Sequence, residues 1–208
     1  MKKVFIYMFA ALMVVAASFV SCKKQKAPAV AAEQNYGFVE RTISMDKEYM
    51  YLNYGGDYRF YESCIKLVDF LDEECDGSVA GVANVFQAIV YDDGTSFDTE
   101  VVSIAHKGDA ASAESKHGFW IEDDPILDGD IVLTYQDAFQ RIQEVNYPKP
   151  HSQNCIIRKP LGPKDCNAQY VFGNLREQLW VDAVTGEVRT SNPAFEGFNM
   201  GTPLGEWP

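Results

Sequence analysis

Side chains that could bind a metal or carry out acid–base chemistry are few and widely spaced in this chain. The three histidines are His106, His117 and His151, and none lies at metal-ligand spacing from another histidine or from a cysteine. His106 and His117 could face each other across antiparallel strands and supply two ligands, but exposed polar positions on strands are the better explanation. The aspartates between residues 123 and 130 do not follow the spacing of a calcium loop. No nucleophile elbow, phosphate-binding loop or dinucleotide motif occurs, so we expect neither catalysis nor a metal or cofactor.

One cysteine, in contrast, has a well-defined chemistry. A basic start at Lys2 and Lys3 precedes the uncharged apolar run 4–20, which is short for a membrane span and is followed by Ser21 and Cys22. This arrangement resembles the lipobox of bacterial lipoproteins, in which the thiol accepts a diacylglyceryl group and the chain is cleaved before it. We therefore expect residues 1–21 to be a lipoprotein signal peptide and Cys22 to be lipidated. The alternatives are an ordinary signal peptide and an uncleaved anchor.

The segment 22–35 has the composition of a flexible tether, since it is small, polar and proline-containing without a strand pattern. Its lysines would lie beside the bilayer and favour anionic headgroups. Lys23 follows the cysteine where many lipoproteins retained in the inner membrane carry aspartate. By analogy we expect attachment to the outer membrane with the protein facing the periplasm, and exposure on the cell surface is the alternative. The expected partner is the membrane, through the N-terminal lipid.

The folded part is strongly acidic. From residue 36 onward the chain has 13 Lys+Arg against 29 Asp+Glu, a net charge of −16. A surface of this charge repels phosphate backbones, so we expect no nucleic-acid partner. It could attract a cationic partner, although a well-hydrated surface is a sufficient explanation.

Four further cysteines lie in a chain that we expect to be exported, where disulfides can form. Cys155 and Cys166 flank a segment with apolar ends and a Pro/Gly-rich middle, which suggests a hairpin closed by a disulfide between them. Cys64 and Cys75 are too far apart to bond within one unbroken helix. Their pairing stays open.

Hydrophobic periodicity predicts an α+β fold of two helix-plus-antiparallel-sheet units in tandem, each with one amphipathic helix packed on a curved sheet. The first unit, 36–127, would contain a helix over 57–77 and strands over 85–91, 97–105 and 117–122. An acidic linker within 122–130 separates it from the second unit, 128–208. That unit would contain a helix over 133–145, strands near 154–158, 169–172, 178–182 and 187–190, and an irregular tail.

A hairpin in the second unit is the most distinctive run in the chain. Leu179 and Val181 alternate with Trp180 and Asp182 as in a half-buried strand. Gly186 supplies the positive φ that closes a tight turn. The carboxylate of Asp182 is better explained as a cap on this turn than as a catalytic acid or a ligand.

The run 181–188, VDAVTGEV, resembles the closing hairpin of PepSY-type domains, and the segment 133–139 is similar to the helix start that precedes the strands in such domains. The resemblance covers about residues 130–191, and the Pro-rich segment 159–164 departs from the family pattern. PepSY-type domains are small α+β modules of secreted and membrane-attached bacterial proteins. They are thought to bind or inhibit proteases and have no catalytic residues. The resemblance implies a PepSY-like second unit that binds another protein.

These observations together predict a non-catalytic, lipid-anchored envelope protein that acts as a binding module, with a protein of the cell envelope as a possible partner. One alternative is a small-ligand or glycan-binding lipoprotein in which Trp120 and Trp180, and also Trp207, stack on the ligand. Another alternative is a structural subunit of an outer-membrane complex.

Overall fold

A computed structural model describes residues 37–91, 97–120 and 124–197. The predicted signal peptide, the tether and Cys22 lie outside the described residues, as do the turn at 92–94, part of the acidic linker and the tail after residue 197. The elements are α1 (Phe38–Tyr54), β1 (Tyr58–Leu67), β2 (Val79–Tyr91), β3 (Phe97–Lys107), β4 (Ala110–His117), α2 (Tyr135–Glu144), β5 (Asn154–Arg158), β6 (Gln169–Gly173), β7 (Gln178–Asp182) and β8 (Val188–Arg189), followed by a 3₁₀ turn at Pro193–Phe195.

All eight strands belong to one antiparallel sheet with the order β4-β3-β2-β1-β5-β6-β7-β8. Each run of four consecutive strands is a meander, and the two meanders meet where β1 pairs with β5. The predicted α+β class is confirmed. The strands nevertheless form a single continuous sheet rather than two separate ones.

The first predicted helix is wrong, because residues 58–67 form strand β1 and the helix lies earlier, at 38–54. A β-bulge between Phe60 and Glu62 shifts the register against β2 and buries both Glu62 and Ser63. The bulge hides the period of two, so that the apolar residues recur at helical spacing. The sequence pattern does not indicate the helix at 38–54, because the buried side of this helix includes the polar residues Thr42 and Asp46, which weaken its apolar periodicity.

Helix α2 agrees with the prediction. Thr134 is its N-cap, and a capping box with Asp137 satisfies backbone N–H groups of the first turn. Its buried residues are Tyr135, Ala138, Phe139 and Ile142. Their spacing is that of one helix face.

Both helices cover the same face of the sheet. On β1 and β2, the rings of Phe60 and Phe86 pack with centroids 5.2 Å apart within the core. On the other meander, Phe139 of α2 packs edge-on against Phe172 of β6 at 6.2 Å. The core therefore lies between the sheet and the two helices, and neither helix packs on the opposite face.

A buried chain of polar side chains fixes α1 on the sheet. The carboxylate of Asp46 on α1 accepts hydrogen bonds from His106 Nε2 on β3 at 2.9 Å and from Asn84 Nδ2 on β2 at 2.7 Å. Ser63 Oγ on β1 donates to Asn84 Oδ1 at 2.5 Å. All four residues are buried, with at most 2 % of their surface exposed. Because an unpaired buried charge is costly, the network permits one position of the helix over three strands.

We expect His106→Ala to lower the free energy of unfolding by about 3 kcal/mol, because the carboxylate of Asp46 would stay buried after losing a partner. His117→Ala is the matched control, since His117 also bonds an aspartate, Asp98 at 2.9 Å, but on the exposed surface. It should change stability by less than about 1 kcal/mol. Urea denaturation of both variants checks this. Equal losses would contradict the structural role of the network.

Candidate functional site

The face of the sheet opposite the helices, here called the open face, carries a row of mainly apolar side chains. The register places Ala83 beside Cys64, Cys64 beside Ile156, Ile156 beside Val171, and Val171 beside Trp180. Residues alternate between the two faces of a strand. The neighbours of these residues along each strand therefore point into the core, whereas this row points away from it.

A depression of about 730 Å³ lies on the open face across β1, β2, β5 and β6. Its lining includes Cys64, Ala83, Ile156 and Val171 from the apolar row. Gly81 also belongs to the lining, and a Cβ atom at this position would lie 2.9 Å from the carbonyl oxygen of His106. The depression thus depends on small residues on β2. Its volume lies within the roughly 300–1,000 Å³ that is usual for ligand pockets.

The surroundings of the Cys64 thiol in this depression disfavour its reactive thiolate form. Its Sγ donates a hydrogen bond to Glu62 Oε1 at 2.9 Å. Burial, together with the nearby charge of Glu62, raises the pKa of the Cys64 thiol to about 12. Since the thiolate is the reactive form, Cys64 contributes a small, weakly polar surface to the floor.

The two tryptophans proposed as binding residues do not line the depression. Trp180 is 7 % exposed, so its ring cannot stack on a ligand in this arrangement. Trp120 is half-buried, and its backbone N–H donates to Gln87 Oε1 at 3.2 Å. Its indole N–H is buried and has no hydrogen-bond partner among the described residues. Neither residue therefore supplies an exposed aromatic platform.

The predicted disulfide between Cys155 and Cys166 is wrong, because both thiols are free. The register pairs Cys155 with Phe172, whereas Cys166 lies before Gln169, the first residue of β6. The two cysteines therefore lie toward opposite ends of the β5–β6 pair. Cys64 and Cys75 are also free.

The histidines do not combine into a metal site. His106 is buried against Asp46, whereas His117 is exposed and pairs with Asp98. In the register of β3 and β4, His117 lies opposite Glu100, away from His106. Across the described ranges no group of three or more His, Cys, Asp or Glu side chains is arranged to hold a metal ion.

Asp182 caps a turn, as its spacing to Gly186 predicted. Its Oδ1 accepts the backbone N–H groups of Val184 at 2.9 Å and Thr185 at 2.8 Å, and the side-chain amides of Asn167 and Gln169 also donate to its carboxylate. Burial alone would raise the pKa of Asp182, but these donors lower it below its ordinary value. The carboxylate of Asp182 therefore stabilises the turn that joins β7 to β8.

No protein-family model, curated protein or solved structure matches this chain. Neither helix in the described part of the chain is long and apolar enough to cross a membrane.

Replacing Asp182 with alanine should produce a loss of stability that depends on pH. A carboxyl group whose pKa is lowered on folding stabilises the folded chain at pH values above the unfolded pKa, about 3.9, and this contribution disappears as the pH falls through the folded pKa. We expect Asp182→Ala to cost about 2 kcal/mol at pH 7 and less at pH 3, where protonation of the folded carboxyl group begins to remove its contribution.

The matched control is Asp165→Ala, which removes an exposed carboxylate and should have little effect at either pH. Denaturation curves at both pH values check the prediction. A loss for Asp182→Ala that does not change with pH would show that its charge is not what holds the turn.

Proposed function

We propose that this protein is a non-catalytic, lipid-anchored binding protein of the bacterial cell envelope, which holds its ligand or partner on the open face. The observation that carries this proposal is the depression of about 730 Å³ on the face that neither α1 nor α2 covers. Covering exposed apolar surface with a ligand or a partner removes it from water, which makes binding there favourable.

The chemistry around the depression supports binding rather than catalysis. Burial raises the pKa of both cysteine thiols in its lining, Cys64 and Cys155. The Asp46–His106 pair is buried beneath α1, out of reach of a substrate. The carboxylate of Asp182 is occupied by hydrogen bonds from backbone N–H groups of its own turn.

The order of elements supports a finer proposal, two related units of one helix and four strands each, joined through β1 and β5. In the second unit β7 and β8 are adjacent antiparallel strands and α2 packs on β7. This is the arrangement that the PepSY-like hypothesis requires for the hairpin and the helix before it. Protein binding, including protease inhibition, is accordingly one form that the proposed activity takes.

A small-ligand binding protein is the second candidate, and the volume of the depression favours it. A glycan ligand that needs aromatic stacking is less compatible with the structure, because Trp180 is buried.

Cys22→Ala should abolish both the incorporation of radiolabelled palmitate and the association of the protein with the membrane fraction. The reason is that Cys22 is the proposed acceptor of the lipid. Cys166→Ala is the control, and it should leave both properties unchanged. Unchanged labelling of Cys22→Ala would overturn the anchor and, with it, the proposed location.

A photo-crosslinking amino acid at position 175 tests whether the open face is the binding surface. Leu175 lines the depression and is 99 % exposed, so the replacement does not fill the cavity. The control position is Tyr51, which is 63 % exposed on α1, the element that covers the other face. In intact cells we expect crosslinked products from position 175 and few from position 51. Equal yields at the two positions, or none at 175, would contradict the proposal.

A further inference from the structure

Two lysines lie on either side of a gap at one end of the depression. Lys66 on β1 pairs with Gly81 on β2, and Lys107 follows His106, whose carbonyl oxygen approaches Gly81 from β3. Lys107 points to the open face because His106 points into the core. Since Gly81 has no side chain, β2 places nothing between the two lysines. Strands two apart in a sheet are roughly 10 Å apart, so both ammonium groups can reach one anion above Gly81.

The surroundings of these lysines differ from the rest of the surface. No Asp or Glu of the described residues lines the depression, although acidic residues outnumber basic ones 29 to 13 from residue 36 onward. Asp109 and Glu177 are close in sequence to lining residues, but both are exposed outside the lining. Within the described residues neither lysine forms an ion pair, and Lys66 Nζ donates a hydrogen bond to a neutral partner, Asn154 Oδ1, at 3.4 Å. Both charges are therefore available to an anionic ligand.

The apolar floor begins directly beside the lysines. Lys66 and Cys64 are two residues apart on β1, so about 7 Å separates the lysine end from the apolar row. Beyond Cys64 the floor continues over Ile156 and Val171. A ligand that fits this surface has a compact negative head at one end and an apolar chain that lies along the row.

We propose that the depression binds a single-chain anionic amphiphile of the long-chain carboxylate class, with its carboxylate between Lys66 and Lys107 and its chain along the apolar row. This proposal rests on the proposed function of the open face as a binding surface. Charge complementarity selects the head group, since the described lining contains Lys66 and Lys107 and no carboxylate. The neutral, apolar floor selects the chain.

Photolabelling of the full chain in phosphatidylcholine nanodiscs tests this proposal, with a diazirine analogue of palmitate as the probe and mass spectrometry to map the labelled peptides. The expected labels lie on β1, β2 or β5 within the depression. Excess palmitate should remove them, whereas hexadecanol, which lacks the charge, should compete at least about fivefold less well. Labels outside the depression, or equal competition by hexadecanol, would overturn the proposal.

Matched substitutions separate the chain-binding floor from the head-binding lysines. Ala83→Phe fills the depression and should abolish labelling, whereas Ala105→Phe, which is next to Ala83 in the same row but outside the lining, should not. Lys66→Gln and Lys107→Gln should each weaken labelling about threefold to fivefold. Lys116→Gln on β4 should leave labelling unchanged. The lysine variants change exposed side chains only, so they report on binding even where Ala83→Phe impairs folding.

Comparison with crosslinking from position 175 separates this proposal from the more general one. If position 175 captures a protein in cells while the palmitate analogue labels nothing in the depression, the ligand class is wrong and binding on the open face stands. If neither experiment gives a product at the open face, both proposals are wrong.

Discussion

The pairing of β1 with β5 is the interaction on which the rest of the structure depends. Five residue pairs, from Glu62–Arg158 to Lys66–Asn154, join the two meanders into one sheet. This junction places both helices on one face and leaves the other face without a helix. It also decides which side chains of β1 reach each face. Ser63 and Ile65 point into the core, whereas Cys64 and Lys66 point to the depression.

A slip of one residue in this register would exchange the two sets of side chains, and the buried polar network opposes such a slip. Ser63 must face the helices to bond Asn84, and Asn84 in turn holds the carboxylate of Asp46. The polar groups beneath α1 therefore fix the position of Lys66 on the opposite face. Stability on one side of the sheet and binding on the other depend on the same alignment of strands.

The features that could be predicted from the sequence are those set by neighbouring residues. The cap at Thr134, the turn at Asp182 and the strands of the second meander all follow from local spacing, and the structure contains them. The features that could not be predicted depend on distant pairing. The sequence of β1 resembles a helix because its bulge breaks the alternation of apolar and polar residues. The bulge forms in the pairing of β1 with β2. The disulfide failed for a related reason, since the register of β5 against β6 decides where Cys155 lies.

The candidate site, too, depends on the pairing of distant segments and could be predicted only in part. Gly81 and Ala83 stand out as small residues within a strand that also contains Val85 and Phe86, and this signal could have indicated a hollow on one face. The convergence of Lys66 and Lys107 on Gly81 needs the alignment of three strands, and the sequence alone does not contain it. The aromatic signal was misleading, because a tryptophan in a half-buried strand is as easily buried as exposed, and Trp180 is buried.

The most direct test of the central claim compares the reactivity of three lysines in isolated envelopes and in the purified chain, with a small amine-reactive reagent and mass spectrometry. If the open face is occupied in the envelope, Lys66 and Lys107 should react more slowly there than in the purified chain, while Lys116 on β4 reacts equally in both. Equal reactivity of all three lysines in the two preparations would contradict the claim that this face is the binding surface.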